Sequence, residues 1–84
     1  MEHYLMIARS ITHAQRMERA LSRAGIRAGI FRAPMDLTDG RGCAYAVQIE
    51  ASRFSAALYA IRGAGLSPVS IFLSNQDGYQ EVNP

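Results

Sequence analysis

The feature of this sequence that most constrains the fold is the order of its periodic segments. Four short stretches carry the apolar pattern of β-strands, and two longer stretches carry apolar residues at helical spacing. Their order along the chain is strand, helix, strand, strand, helix, strand. Each helical stretch ends at a glycine, Gly25 or Gly65, the residue that most readily adopts the left-handed conformation closing a helix. The chain therefore divides into two similar units.

This order predicts an α+β fold, the ferredoxin-like βαββαβ arrangement, in which two helices cover one face of a four-stranded antiparallel sheet. Right-handed crossovers place the third strand between the first and second and antiparallel to both. We expect residues 1–84 to form a single domain of this kind. Residues 74–84 form a tail in which the turn dipeptide Asp77-Gly78 favours a short hairpin.

The helix starts are predicted from residues whose side chains cap helices. Ser10 or Thr12 begins the first helix, and Thr12 with Gln15 matches a capping box, in which two side chains satisfy backbone donors of the first turn. Ser52 is the predicted cap of the second helix.

Alternation along the third strand separates its side chains into two sets. One face takes Cys43, Tyr45, Val47 and Ile49, and the other takes Ala44, Ala46, Gln48 and Glu50. We expect Ala44 and Ala46, together with Met6, to leave the helix-free face of the sheet only partly polar. A small domain gains stability by covering such a face, so the pattern favours a homodimer.

Composition excludes several classes of protein. The single cysteine cannot form an internal disulfide, which favours a reducing compartment, and no segment resembles a signal peptide or a membrane span; the expected location is the cytoplasm. The net charge is +2 and the arginines are scattered, which argues against nucleic-acid binding. The chain shows no metal-ligand spacing and no nucleotide-binding glycine pattern, so we expect no metal and no cofactor.

The lone cysteine follows a glycine-rich loop and opens the third strand. The predicted topology brings that loop to the start of the first helix, and six residues then converge: Arg9, Thr12, His13, Arg41, Gly42 and Cys43. A helix N-terminus and an arginine both stabilise a thiolate, and His13 could supply a charge or a proton. Two alternatives stay open. Cys43 could be a buried small apolar residue, and His13 a surface residue beside the cap.

The chain also resembles a known family, the selenium/sulfur carrier-like domains. The residues that carry the resemblance are Ser10-Ile11-Thr12-His13-Ala14-Gln15, Leu21, Ala24-Gly25-Ile26, Pro34, Leu37-Thr38, Gly42-Cys43, Tyr45 and Val47. The likeness covers roughly the first 73 residues. The family often has glycine after the cysteine, where this chain has Ala44, and its loop before the cysteine is shorter.

The resemblance implies that Cys43 accepts sulfur or selenium and passes it on. The partner would be a sulfur- or selenium-handling enzyme, and the chain itself would be a carrier or binding protein rather than an enzyme. A single-stranded RNA-binding module has the same element order, with Tyr4 and Tyr45 near its aromatic positions. Tyr45, however, shares a face with Val47 and Ile49 instead of lying on the open face. A ligand-sensing or assembly domain, with Cys43 structural, is the third alternative.

Overall fold

The computed structural model describes residues 2–34, 37 and 44–82, which form two helices and five strands. In chain order they are β1 (His3–Ala8), α1 (Ile11–Arg23), β2 (Gly29–Arg32), β3 (Tyr45–Glu50), α2 (Phe54–Gly63), β4 (Ser70–Asn75) and β5 (Gly78–Glu81). The strands form one sheet in the order β2-β3-β1-β4-β5, and each neighbouring pair is antiparallel. The α+β class is thereby confirmed.

The prediction of a four-stranded ferredoxin-like sheet is wrong in its strand count, because β5 pairs with the outer side of β4. A tight turn creates this hairpin. The Asp77 N–H donates to Oδ1 of Asn75 at 2.9 Å, and Gly78 has a φ of +113°, which side chains disfavour. The sequence predicts a short hairpin at Asp77-Gly78, but β5 is short and its side chains are mostly exposed, so the pattern does not show that this hairpin adds a fifth strand to the sheet.

β1 is the central strand of the sheet, as its two-sided apolar pattern predicts. It pairs with β3 on one side and with β4 on the other, so that Met6 lies opposite both Val47 and Ile71. Its last four residues are all at most 2% exposed: Leu5, Met6, Ile7 and Ala8. A strand buried on both faces needs a separate cover for each face.

Both helices provide the cover for one face. The cluster on that side combines residues from the two helices and the sheet: Met6, Ala8, Ala14, Met17, Ala20, Leu21, Ile26, Val47, Ile49, Ala57, Ile61 and Ile71. The α1 members recur every three or four residues, which is the spacing that gives a helix one apolar stripe.

The two helices end in the same way, at the two predicted glycines. Gly25 and Gly65 have φ values of +76° and +74°. The next residue then reaches back to bond the last turn. The Ile26 N–H donates to the Leu21 carbonyl at 2.9 Å, and the Leu66 N–H donates to the Ile61 carbonyl at 3.0 Å.

The prediction of the helix starts is confirmed at Ser10 and wrong at Thr12 and Ser52. Ser10, not Thr12, is the N-cap of α1, and Thr12 lies exposed in its first turn. Ser52 does not cap α2, because the Ala51 N–H still bonds the Glu2 carbonyl at 3.2 Å beside the β1–β3 pair. The chain therefore leaves β3 through a short 3₁₀ turn, Ala51–Arg53, and α2 begins only at Phe54.

The helix-free face also differs from the prediction. Met6 does not lie there, because it pairs with Val47 and packs in the helix-side cluster. Ala44 and Ala46 do lie there, but they are 6% and 0% exposed and belong to a second apolar cluster. We call it the second cluster: Leu5, Ile7, Ala33, Ala44 and Ala46, with Leu37 and Phe72 packed against it. The centre of this face is thus covered, and the homodimer stays a prediction.

We expect Gly25→Ala and Gly65→Ala each to lower the free energy of unfolding by roughly 1–2 kcal/mol. A Cβ at either glycine meets no atom within 4 Å, so the cost comes from the left-handed backbone alone. Urea denaturation of the purified variants measures it.

Gly63→Ala is the matched control, because Gly63 is helical and equally uncrowded. That substitution should be neutral or should stabilise by about 0.4–1 kcal/mol. Equal effects at Gly63 and Gly65 would mean that the left-handed helix end is not the origin of the cost.

Candidate functional site

The candidate site lies at the end of the sheet where β1 finishes and β3 begins. Ala8 and Tyr45 form the last pair of the β1–β3 ladder, so Arg9 and Ala44 each follow one residue beyond it. The segment before β4 reaches the same end, where the Val69 N–H donates to the Ile7 carbonyl at 2.8 Å. Antiparallel pairing therefore brings together segments that are distant in sequence.

Two hydrogen bonds that both involve His13 shape the start of α1. The backbone N–H of His13 donates to Oγ of Ser10 at 3.1 Å, and Nδ1 of His13 accepts from the backbone N–H of Arg9 at 3.2 Å. Each side chain thus satisfies a backbone donor near the helix start. The arrangement differs from a capping box because the His13 ring binds the N–H of Arg9, one residue before the cap, and not the N–H of the cap residue Ser10. His13 is therefore part of the cap. This role is close to the alternative left open by the sequence, in which His13 is a surface residue beside the cap.

The surroundings of His13 lower the pKa of its imidazole from the usual 6.5. Burial is the largest cause, followed by the positive charges of Arg9 and Arg16, while a hydrogen bond with the backbone at Ser67 acts in the opposite direction. The neutral ring is the form with a lone pair on Nδ1, so the lowered pKa and the cap favour the same protonation state.

A shallow cleft of about 480 Å³ opens beside this cap. Its lining comes from the start of α1 and from the turn after α2: Arg9, Ser10, Thr12, His13, Arg16, Gly65, Leu66 and Ser67. The lining includes two arginines and no carboxylate. An anionic group in this cleft would meet favourable potential from the arginines and from the helix N-terminus.

The cleft unites three of the six predicted site residues, namely Arg9, Thr12 and His13. The other three predicted residues, Arg41, Gly42 and Cys43, lie outside the residues that the structure describes. Arg16 and Ser67 were not predicted. Arg16 follows Thr12 by one helical turn, so spacing alone could have identified it. Ser67 joins only because β4 pairs with β1, which no local pattern reveals.

Ala44, the residue after Cys43 in the chain, lies at this end of the sheet. It is buried in the second cluster, and its carbonyl accepts from the Ala33 N–H at 3.1 Å. The bond closes the segment between β2 and β3 at its base.

Two aromatic residues that suggest RNA binding face the helices. Tyr4 stacks on Phe54 of α2, with ring centroids 3.8 Å apart and planes inclined by 12°. Tyr45 packs against the helix-side cluster, and the Arg32 guanidinium lies 6.0 Å from its ring centroid. In this orientation neither ring presents a free face on the helix-free side of the sheet.

Within residues 2–34, 37 and 44–82, no group of three or more His, Cys, Asp or Glu side chains is arranged to hold a metal ion. In the same part of the chain, neither helix is long and apolar enough to cross a membrane.

Comparison with known protein families gives a match over most of the chain. The sequence model of a family described as "Putative Se/S carrier protein-like" matches residues 3–73. No curated protein and no solved structure matches the chain.

We expect stability to fall on acidification because of His13. Its pKa is lowered in the folded state, so the unfolded chain binds this proton more readily. The stability that neutral His13 contributes is therefore fully present above the pKa of the unfolded chain, near 6.5. It is lost progressively as pH falls through 6.5 toward the lower folded pKa. Urea denaturation between about pH 5 and pH 8 measures this slope.

His13→Gln is the informative variant, because a glutamine oxygen can accept from Arg9 but does not titrate. It should keep most of the stability at neutral pH and lose the His13 part of the pH dependence. Ser10→Ala should cost about 0.5–2 kcal/mol at every pH. An unchanged pH slope in His13→Gln would contradict the assignment.

Proposed function

The chain belongs to the Putative Se/S carrier protein-like family, and from this membership we propose that it carries sulfur or selenium on the thiol of Cys43. The observation that carries the proposal is the match over residues 3–73, which includes the chain's single cysteine. A donor or acceptor enzyme of sulfur or selenium metabolism would be the partner. The reduced thiol that this role needs fits a reducing compartment such as the cytoplasm.

The chemistry is a transfer between thiols. The Cys43 thiolate attacks the outer sulfur of a donor persulfide, R–S–SH. A new S–S bond forms on Cys43, the S–S bond of the donor breaks, and the donor leaves as the thiolate R–S⁻. An acceptor thiolate repeats the exchange on the Cys43 persulfide, so atoms and electrons balance without an oxidant. A terminal selenium would move by the same steps.

The electrostatics of the cleft support this chemistry. Thiol exchange needs the thiolate, which positive charge stabilises. Arg9 and Arg16 line the cleft with the α1 N-terminus, and Ala44, next to Cys43 in sequence, belongs to the same end of the sheet. Arg41 precedes Cys43 by two residues in the sequence and would add a positive charge near the thiol. We therefore propose that Cys43 ionises more readily than a free cysteine.

His13 has a narrower role in this proposal. Its Nδ1 already accepts from the Arg9 N–H, and its pKa is lowered, so it does not add a permanent positive charge. It stabilises the helix start that faces the cleft. His13→Ala would then act on the thiol only indirectly, through the cap.

The ferredoxin-like order of β1 to β4 is part of the same proposal, with β5 as an addition at the β4 edge. In this arrangement the inward orientation of Tyr4 and Tyr45 favours the carrier over an RNA-recognition module, which needs exposed aromatic rings.

The test is sulfur uptake by the folded protein. We expect incubation with a small persulfide donor to add the mass of one sulfur atom, and Cys43→Ser to prevent the addition. Intact-mass spectrometry measures it, and a reducing agent should reverse it. If Cys43 takes up no sulfur while the chain is folded, the carrier proposal fails.

A second measurement addresses ionisation. The alkylation rate of Cys43 across pH should have its midpoint below the free-cysteine value of about 8.5. We expect Arg9→Ala and Arg41→Ala to raise that midpoint. Arg27→Ala is the control, because Arg27 precedes β2 and does not line the cleft. Equal midpoints in all three variants would mean that Arg9 and Arg41 do not stabilise the Cys43 thiolate.

A further inference from the structure

Two arginines bring positive charge to the shallow cleft beside the start of α1. Arg9 follows the end of β1, Arg16 lies in the second turn of α1, and both line the cleft. Both charges also act on the same group, because each lowers the pKa of the His13 imidazole through its electrostatic potential. Among the described residues that line the cleft, none carries a carboxylate. The positive charges of two separate segments therefore add at one place.

The hydroxyl groups of the cleft can donate hydrogen bonds to a ligand. Thr12 and Ser67 supply hydroxyls from two different segments, the first turn of α1 and the turn between α2 and β4. Oγ of Ser10 accepts from the His13 N–H at 3.1 Å, and its hydroxyl hydrogen stays available for donation. Since a guanidinium can only donate, the polar side chains at this place suit a ligand with several acceptor oxygens.

The imidazole of His13 is a fixed part of the cleft wall. Its Nδ1 accepts from the Arg9 N–H at 3.2 Å, and the ring also forms a hydrogen bond with the backbone at Ser67. These contacts connect the start of α1 to the turn between α2 and β4, which are the two segments that line the cleft. The two sides are therefore held relative to each other before a ligand binds, which reduces the entropy that binding must overcome.

From this arrangement we propose that the cleft binds a small tetrahedral oxyanion, a sulfate or phosphate group, which is a site beyond the proposed carrier function. The planar fork of a guanidinium matches two oxygens of such a group, and two arginines balance its double negative charge. An apolar ligand fits poorly, because Leu66 is the one large apolar side chain among the described lining residues.

The size of the cleft leaves two sources for this group. At about 480 Å³ and open to solvent, the cleft accommodates the oxyanion either free or attached to a larger molecule. The recognition chemistry is the same in both cases. A free anion and a phosphate ester are separated by experiment.

Sulfate is the first probe, because it does not titrate in the pH range in which His13 does. Isotopically labelled full-length protein is titrated with sodium sulfate at constant ionic strength, with sodium chloride as the balancing salt. We expect saturable NMR shifts of the amides of Arg9, Ser10 and Ser67. Sulfate should also raise the pKa of His13, since a bound anion opposes the positive potential of the two arginines.

Arg9→Gln and Arg16→Gln should each weaken sulfate binding by roughly threefold to tenfold, and the double variant should show no saturation. Both side chains are exposed, so the variants should stay folded, which circular dichroism checks. Arg23→Gln is the matched control, because it removes the same charge from an exposed position on α1 that does not line the cleft. Its affinity for sulfate should equal that of the parent.

Phosphate and glycerol phosphate then identify the source of the group. Tighter saturable binding of glycerol phosphate would assign the cleft to a phosphate ester, and equal or tighter binding of phosphate would assign it to a free oxyanion. Shifts that do not saturate, or an Arg23→Gln variant weakened as much as the two cleft variants, would overturn the inference. The titration does not depend on sulfur uptake by Cys43, so the oxyanion site and the carrier function fail separately.

Discussion

The burial of β1 on both faces is the constraint on which the rest of this structure depends. Four consecutive residues of that strand, Leu5 to Ala8, are almost completely excluded from solvent. Two helices cover the strand on one side, where Met6 and Ala8 pack. On the other side the cover includes Ala46, Phe72 and Leu37. The second cover is small, and one of its members, Leu37, belongs to the same β2–β3 connection as the cysteine.

The burial of β1 on both faces also determines how the residues of the candidate site are placed. Leu37, from the β2–β3 connection, packs on the helix-free side of this central strand, and the same strand leads directly into Arg9 and Ser10 at the start of α1. The hydrogen bonds of His13 then hold that helix start in place. His13 cannot both accept a proton from a thiol at Nδ1 and keep its bond to Arg9. Structural use of the ring therefore limits its use in proton transfer.

The sequence predicts most of the fold because its strongest signals are local. Gly25 and Gly65 end helices through backbone conformation alone, and the two-sided apolar pattern of β1 predicts its central place. The misassigned positions, Thr12, Ser52 and Met6, depend on where a neighbouring strand stops or which face it presents. Ser67 enters the cleft only through the pairing of β4 with β1. The place of Cys43 stays a prediction, since it lies outside the described residues.

The added strand β5 has a consequence for how the backbone of this protein opens. With β5 in place, β4 has hydrogen-bonded neighbours on both sides, and among the described strands the outermost are β2 and β5. Amide hydrogens at a free edge exchange with solvent through local fraying, whereas those of interior strands wait for larger openings. The Val82 N–H, bonded to the Ile71 carbonyl at 2.9 Å, closes the hairpin just past β5. We therefore expect the slowly exchanging amides to lie in three strands, β3, β1 and β4. The outer strands β2 and β5 should exchange faster.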